Sequence, residues 1–152
     1  MLSKKDLKIM LIAPRTTSFG KNAIVKCMPP LGIAYIAAVL EKDGFDVKIL
    51  DATVEGYEHK EVDGEYLTYG LPLEDIKKRI EEYKPGIVGV NFSFSPQRKN
   101  VYDIFKIVKE VSKDIITVVG GPHPTYLPER VLKNEDIDYV FLGESEYSMR
   151  EF

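Results

Sequence analysis

The residues of this 152-residue chain that could do chemistry stand directly after its apolar runs. The most informative stretch is Gly120-Gly121-Pro122-His123-Pro124-Thr125, which follows the β-branched run Ile115–Val119. Such a run is typical of a buried parallel strand, and glycines at its end let backbone and ligand approach without Cβ obstruction. A glycine pair equally serves a tight strand-to-helix turn, so the motif alone leaves both interpretations open. His123 is either a ligand contact or a loop histidine with a satisfied hydrogen bond.

Hydroxyl-bearing residues follow the first apolar run. Within Pro14–Gly20 they are Thr16, Thr17 and Ser18, whose hydroxyls and backbone amides could cradle a phosphate or an amide group. Serine and threonine are also ordinary loop residues, so a purely structural role stays open for this segment.

A third polar segment, Asn91–Gln97, follows the central run. Ser93 points to the same side as Asn91 and Ser95 if the chain is still extended there, which places a small polar row beside the glycines. Ser95 could instead cap the helix that follows. No nucleophile–base pair is evident in the sequence, so we predict neither a catalytic residue nor a metal ligand in this chain.

The elements that must position these segments alternate regularly. Apolar runs predict five strands, over Leu7–Ala13, Val47–Leu50, Ile87–Asn91, Ile115–Val119 and Tyr139–Leu142. Helical patterns cover Leu31–Lys42, Leu73–Tyr83, Lys99–Ser112 and a short segment over Pro128–Lys133. This alternation predicts an α/β domain with a doubly wound, five-stranded parallel sheet of flavodoxin-like (Rossmann-like) order 2-1-3-4-5. In that order the turns after strands one, three, four and five converge at one edge.

An insertion over about residues 53–70 interrupts this rhythm. Asp63-Gly64 is a two-residue turn signal and predicts a small hairpin with arms over Tyr57–Val62 and Glu65–Tyr69. The hairpin is either a solvated insertion or a flap with Tyr66 and Tyr69 near a ligand.

The last helix of the predicted fold is incomplete. Only about two turns of helix fit between the fifth strand and Phe152, fewer than the roughly 11–12 residues of an average helix. We therefore expect the chain to be a fragment of a longer protein, with residues 1–152 forming one domain.

Composition and charge exclude several classes of protein. The net charge of −3 and the scattered lysines argue against a nucleic-acid partner, and no apolar run approaches the length of a membrane span. The single cysteine, Cys27, excludes an internal disulfide and is interpreted as a packed thiol. These features favour a cytoplasmic location. The phosphate-binding motifs Gly-x-x-x-x-Gly-Lys-Ser/Thr and Gly-x-Gly-x-x-Gly are both absent.

Taken in order, five segments resemble the N-terminal cobalamin (vitamin B12)-binding domain of cobalamin-dependent radical S-adenosylmethionine enzymes. They are Pro29-Pro30-Leu31-Gly32-Ile33-Ala34-Tyr35, Val47-Lys48-Ile49-Leu50-Asp51-Ala52, Val88-Gly89-Val90-Asn91-Phe92-Ser93, Val119-Gly120-Gly121-Pro122-His123-Pro124-Thr125 and Phe141-Leu142-Gly143-Glu144-Ser145-Glu146. The set spans nearly the whole chain.

This resemblance implies a cobalamin-binding module that is not catalytic alone. The nucleotide tail of cobalamin would enter a groove lined by small residues, and the corrin ring would rest on the carboxyl edge of the sheet. The implied cofactor-binding residues are Thr16, Thr17, Ser18, Ser93, Ser95, Gly120, Gly121, Pro122, His123, Gly143 and Glu144. The parent protein would carry a downstream radical domain with a 4Fe-4S cluster and S-adenosylmethionine, neither of which this chain would bind.

The sequence departs from related patterns in three ways. The Asp-x-His-x-x-Gly loop of methionine-synthase-like cobalamin domains is missing after the first strand. Many radical enzymes of the resembling group also lack it, and the resemblance then implies base-off cobalamin without histidine ligation. The usual Gly-Glu-Gly-Glu of the family reads Gly143-Glu144-Ser145-Glu146 here. The cluster motif Cys-x-x-x-Cys-x-x-Cys is absent and would lie beyond Phe152. Two alternatives stay open, a flavodoxin-like FMN-binding domain and a non-catalytic interaction module.

Overall fold

The structure, a computed structural model, describes residues 6–20, 22–24 and 27–152. Its strands are β1 (Lys8–Ala13), β2 (Thr16–Phe19), β3 (Asp46–Asp51), β4 (Lys60–Asp63), β5 (Tyr66–Tyr69), β6 (Ile87–Asn91), β7 (Ile116–Gly120) and β8 (Tyr139–Val140). Its α-helices are α1 (Leu31–Lys42), α2 (Ala52–Glu55), α3 (Leu73–Tyr83), α4 (Arg98–Val111), α5 (Pro122–Tyr126), α6 (Pro128–Val131) and α7 (Glu146–Glu151), and a 3₁₀ turn over Ser95–Gln97 precedes α4.

Five strands form a parallel sheet in the order β3-β1-β6-β7-β8. This is the predicted flavodoxin-like order, since these strands are the first to fifth of the predicted sheet. The chain leaves β1 toward β3 on one side and returns to β6 on the other, so the switch point lies between β1 and β6. Ligands bind at such a point in open α/β sheets because the turns beyond neighbouring strands diverge there and leave a crevice.

Helices cover both faces of the sheet. Because side chains alternate along a strand, Met10 and Ile12 of β1 pack toward α3 and α4, whereas Ile9 and Leu11 pack toward α1 and α7. The α3–α4 face is closed by fully buried side chains such as Phe105 of α4. The α1–α7 face is the one on which the cavity described below opens.

The insertion forms a second, antiparallel sheet of order β2-β5-β4. The predicted hairpin is present with shorter arms, and it is preceded by the short helix α2 over residues 52–55. The segment Pro14–Gly20 was expected to be a loop, and this is corrected: Thr16–Phe19 is strand β2, paired with β5 from Thr16↔Tyr69 to Phe19↔Tyr66. Two threonines and a phenylalanine give this segment some strand preference, but its partner is some 50 residues away in sequence, where local patterns carry no signal.

The last strand and the last helix of the domain are both short. Strand β8 ends at Val140 instead of Leu142, and α7 is a six-residue helix. Helix α7 nevertheless packs on the sheet, because Met149 is buried against the α1–α7 face and Arg150 pairs with Asp43 at the end of α1. Within the part of the chain that the structure describes, no helix has the length and apolarity needed to cross a membrane.

A network of hydrogen bonds around Asp138 stabilises the edge of the sheet at which β8 lies. Asp138 Oδ2 accepts hydrogen bonds from Lys109 Nζ at 2.7 Å, Thr117 N at 2.8 Å and Thr117 Oγ1 at 2.9 Å. Burial alone would raise the pKa of Asp138, but the bonds from Lys109 and Thr117 outweigh it and hold that pKa below its ordinary value. The ionised carboxylate therefore stabilises the junction of α4, β7 and the segment before β8.

The network predicts a defined pH dependence of stability. Because the folded-state pKa of Asp138 is depressed, its contribution is present above the unfolded-state pKa of about 4 and is lost as the pH falls through the lower folded-state value. The uncharged isostere Asp138→Asn should reduce the free energy of unfolding in urea more at pH 7 than at pH 3. An equal reduction at both pH values would contradict this account.

Candidate functional site

A cavity of about 820 Å³ opens at the carboxyl edge of the parallel sheet. It is lined by the turns after β1, β6, β7 and β8, by the start of α1 and by α7. The predicted convergence of these turns is therefore present. The cavity also extends down the α1–α7 face, where Ile33 and Ile36 of α1 and Met149 of α7 form its sides.

Gly89 in the middle of β6 forms part of the cavity floor. A Cβ placed there would lie 2.9 Å from Leu11 Cδ2 and 3.2 Å from Val118 Cγ2, both closer than ordinary van der Waals contact. The branched side chains of Leu11 and Val118, on the two neighbouring strands, thus flank Gly89. Any side chain at this position would displace them. The missing side chain deepens the cavity between β1 and β7. Gly89 was not among the predicted site residues, although it lies within one of the family segments, and its position inside an apolar run was the available signal.

Gly120 and Gly121 end β7 at the cavity wall. Gly121 has φ +118°, and a Cβ there would lie 2.8 Å from Phe92 O and 2.9 Å from Asn91 Oδ1. Only glycine combines this backbone conformation with such a close approach to the turn after β6. A Cβ at Gly120 would instead be 3.7 Å from Ser145 Oγ, an ordinary van der Waals contact, so Ser145 packs directly beside this position.

The hydroxyl of Thr125 joins the turn after β7 to the turn after β8. Thr125 Oγ1 donates to Gly121 O at 2.8 Å and accepts from Gly143 N at 3.0 Å. Gly143 in turn accepts at its carbonyl from Ser145 Oγ at 3.2 Å. These four residues, together with Pro122 and Glu144, line the cavity. Thr125 and Ser145 were not predicted as site residues, because their role depends on which turns are neighbours in space.

The wall contributed by the second sheet is held by hydroxyls. Thr16 Oγ1 is 3.0 Å from Thr53 Oγ1, which donates to Pro14 O. Thr17 Oγ1 is 2.8 Å from Thr68 Oγ1 and accepts from Asn100 Nδ2, also at 2.8 Å. Thr16 and Thr17 thus line the cavity with their hydroxyls engaged by the protein, and they present a fixed wall.

The turn after β6 supplies amide and hydroxyl groups. Ser93 Oγ donates to Asn91 Oδ1 at 3.3 Å, in agreement with the expected polar row. Gln97 Oε1 accepts from the backbone amides of Ser93 and Phe94, which closes the turn. Asn91, Ser93 and Gln97 all line the cavity.

Three predicted site residues lie outside the described lining of the cavity. Ser18 is in β2 opposite Leu67. Ser95 and His123 lie behind the wall and contact each other, with Ser95 Oγ 2.9 Å from His123 Nδ1. Direct cofactor contact by these three residues stays a prediction, as it does for the eight that line the cavity.

Exposed apolar side chains surround the mouth of the cavity. They are Met28, Leu31, Val54, Phe94 and Tyr126, which are between 51% and 82% exposed. Apolar groups collected at one edge of a domain typically mark a binding surface. Among the lining residues that the structure describes, the acidic side chains are Asp51, Glu144 and Glu146, and no arginine or lysine is present.

The fold and the site together define a class of protein, an α/β domain that holds a sizeable ligand over the carboxyl edge of a flavodoxin-like sheet. The profile of the B12 binding domain family matches residues 20–152. The chain therefore belongs to the B12-binding domain family, and it is a cobalamin-binding domain.

Curated relatives extend the comparison. The chain is 43% identical over 147 residues to the cytidylyl-2-hydroxyethylphosphonate methyltransferase of Streptomyces wedmorensis, covering 95% of this chain and 27% of that protein. It is 32% identical over 145 residues to the anaerobic magnesium-protoporphyrin IX monomethyl ester cyclase of Rubrivivax gelatinosus, covering 94% and 23%. The chain thus spans about a quarter of the length of these relatives.

A solved structure agrees with the fold. The chain superposes with a TM-score of 0.63 and 16% sequence identity on a cobalamin-binding protein from Desulfitobacterium hafniense DCB-2, over 97% of this chain and 58% of that one. At this identity the likeness shows the fold.

Proposed function

We propose that this domain holds base-off cobalamin for a longer radical S-adenosylmethionine enzyme, with the nucleotide tail in the cavity and the corrin ring at its mouth. The observation that carries the proposal is the floor at Gly89, where a missing side chain between Leu11 and Val118 opens the sheet face to a ligand. Bound cobalamin would supply methyl-transfer or radical chemistry to the parent enzyme.

The shape and polarity of the cavity suit both parts of this cofactor. Its deep part is bordered by Ile33, Ile36 and Met149 and suits an aromatic base, while the turns around it offer hydroxyl and amide groups for polar substituents. The apolar rim, with Phe94 and Tyr126, suits the flanks of a wide corrin ring. A flat ligand with amide substituents matches this combination.

The positions of both histidines support binding without a histidine ligand from the protein. His59 lies in the hairpin region, with Nε2 3.1 Å from Glu61 Oε1, and His123 is behind the wall against Phe92. Neither belongs to the described lining. The chain has two histidines, so within it no side chain of this type faces the cavity.

The charge of the lining favours cobalamin over FMN. The phosphate of FMN is a dianion, which proteins bind with several N–H donors or with basic side chains. The described lining instead carries Asp51, Glu144 and Glu146 and no arginine or lysine. Carboxylates at the mouth can accept hydrogen bonds from side-chain amides such as those on a corrin ring.

The relatives support a larger enzyme around this domain. They are named as a methyltransferase and a cyclase and are about four times as long as this chain, and its single cysteine cannot provide the three ligands of a 4Fe-4S cluster. We therefore place the cluster, S-adenosylmethionine and the substrate with a radical domain of the parent protein. On this proposal, the radical domain determines which reaction the parent enzyme catalyses.

Cobalamin binding by the isolated chain tests the proposal. Purified chain mixed with hydroxocobalamin should retain the corrinoid through desalting, and FMN treated in the same way should be lost. After reduction to the Co(II) form, the electron paramagnetic resonance spectrum should lack the splitting that an axial nitrogen produces. Retention of FMN without corrinoid would contradict cobalamin binding, and nitrogen splitting would contradict base-off binding without histidine.

A further inference from the structure

His123 and Ser95 form a contact that no step of cofactor binding described above requires. The imidazole is 8% exposed and stacks on Phe92, with ring centroids 4.0 Å apart and an interplanar angle of 30°. Its Nδ1 is 2.9 Å from Ser95 Oγ. The His123 backbone N–H donates to Phe92 O at 3.1 Å, so side chain and backbone both contact the segment after β6.

This contact joins two walls of the cavity. His123 belongs to the turn of Gly120 and Gly121, whereas Phe92 and Ser95 belong to the turn after β6. The two turns fit tightly, since Phe92 N also donates to Gly120 O at 2.8 Å. A displacement of the imidazole would therefore move backbone that faces the ligand.

The surroundings of His123 disfavour a positive charge. Burial lowers its pKa, and the cations Arg130 of α6 and Arg98 of α4 lower it further. The ring on which His123 stacks, Phe92, is itself met edge-on by Tyr102 of α4 at 6.2 Å between centroids. In the neutral form, Nδ1 and the Ser95 hydroxyl satisfy each other.

We propose that neutral His123 is a positioning residue that holds the β6 and β7 turns together, so that its protonation loosens the cavity and weakens cobalamin retention. The proposal rests on the function proposed above. Protonation would place a positive charge in this buried site, close to the cations Arg130 and Arg98. The stabilisation provided by the neutral ring is therefore present above pH 6.5 and is lost as the pH falls through the lower folded-state pKa.

The experiment compares hydroxocobalamin affinity between pH 8 and pH 5 in three proteins. The wild type and His59→Gln, which removes the exposed second histidine, should share a several-fold loss of affinity toward acid pH. His123→Phe keeps an aromatic ring on Phe92 but cannot titrate, so its pH profile should lack this loss. Any titration of hydroxocobalamin itself contributes equally to all three profiles and cancels when they are compared. A wild-type pH profile in His123→Phe would overturn the proposal.

A second measurement needs neither a variant nor cobalamin. In the ligand-free wild type, the His123 ring followed by nuclear magnetic resonance should titrate with a pKa below the ordinary value of histidine. The backbone amides of Gly120, Gly121 and Ser93 should shift in the same step as His123. Amides that do not shift with the His123 ring would overturn the proposal, whereas a concerted shift in a chain that fails to bind cobalamin would contradict only the proposed function.

Discussion

Replacing Gly89 with valine should abolish tight binding of complete cobalamin while sparing the fold. The new side chain would occupy the cavity floor, and overpacking of this kind costs about 1–3 kcal/mol, so we expect up to about a 100-fold loss of affinity. The strand itself should tolerate the change, because valine favours strands and the atoms that a Cβ would meet are the ends of the Leu11 and Val118 side chains. Isothermal titration with hydroxocobalamin measures the loss.

Two controls make this result specific. Cobinamide, a corrinoid without the nucleotide tail, should bind Gly89→Val about as well as it binds the wild type, because its contacts are at the mouth. Gly86→Val is the matched variant: a Cβ there would lie 2.8 Å from Leu7 Cδ1, an equally close contact immediately before the amino end of β6. It should leave affinity for both corrinoids unchanged. Equal losses for the two ligands in Gly89→Val would mean that the tail does not lie on Gly89.

Asn100→Leu should cost about 2–3 kcal/mol of unfolding free energy, the largest stability effect that we expect from a polar residue. Asn100 is 3% exposed, and its Nδ2 donates to Arg15 O at 3.0 Å and to Thr17 Oγ1 at 2.8 Å. Leucine has a similar volume but no donor, so a buried carbonyl would lose its side-chain partner. Urea denaturation monitored by circular dichroism provides the measurement.

Asn134→Leu is the comparison for this prediction. Asn134 Oδ1 accepts a single hydrogen bond from Asp136 N in a half-buried turn, where water can replace the lost acceptor. Its cost should stay below about 1 kcal/mol. Equal destabilisation of the two variants would mean that the hydrogen bonds of Asn100 do not fix the turn after β1.

Asn100→Leu should also weaken cobalamin binding several-fold, because it loosens the turn after β1 and Thr17 in that turn lines the cavity.

The larger elements follow from local patterns. The runs at Ile87–Asn91 and the helices over Leu31–Lys42 and Leu73–Tyr83 have the predicted bounds, because apolar periodicity and flanking proline or glycine mark them within the sequence. The strand order was also accessible, since right-handed crossovers leave few arrangements for five parallel strands. Eight of the eleven predicted site residues accordingly line one cavity, because turns at the same edge of a parallel sheet converge.

The features that the sequence did not predict depend on contacts between segments that are distant in the sequence. The strand Thr16–Phe19 exists through pairing with β5, and Ser95 and His123 meet through the packing of two turns. Gly89 becomes a floor only because Leu11 and Val118 flank it from neighbouring strands.

The order of apolar runs and strand-end motifs along the chain determined the fold class and the family resemblance, since both depend on spacing within the sequence. The tertiary structure alone decided three further properties. They are which hydroxyls line the cavity, which of them are hydrogen-bonded within the protein, and how deep the cavity is. The physical reason is that these properties arise from side chains that folding brings within a few ångströms of each other. Their sequence separations, such as 28 residues for Ser95 and His123 and 85 for Arg15 and Asn100, carry no local preference.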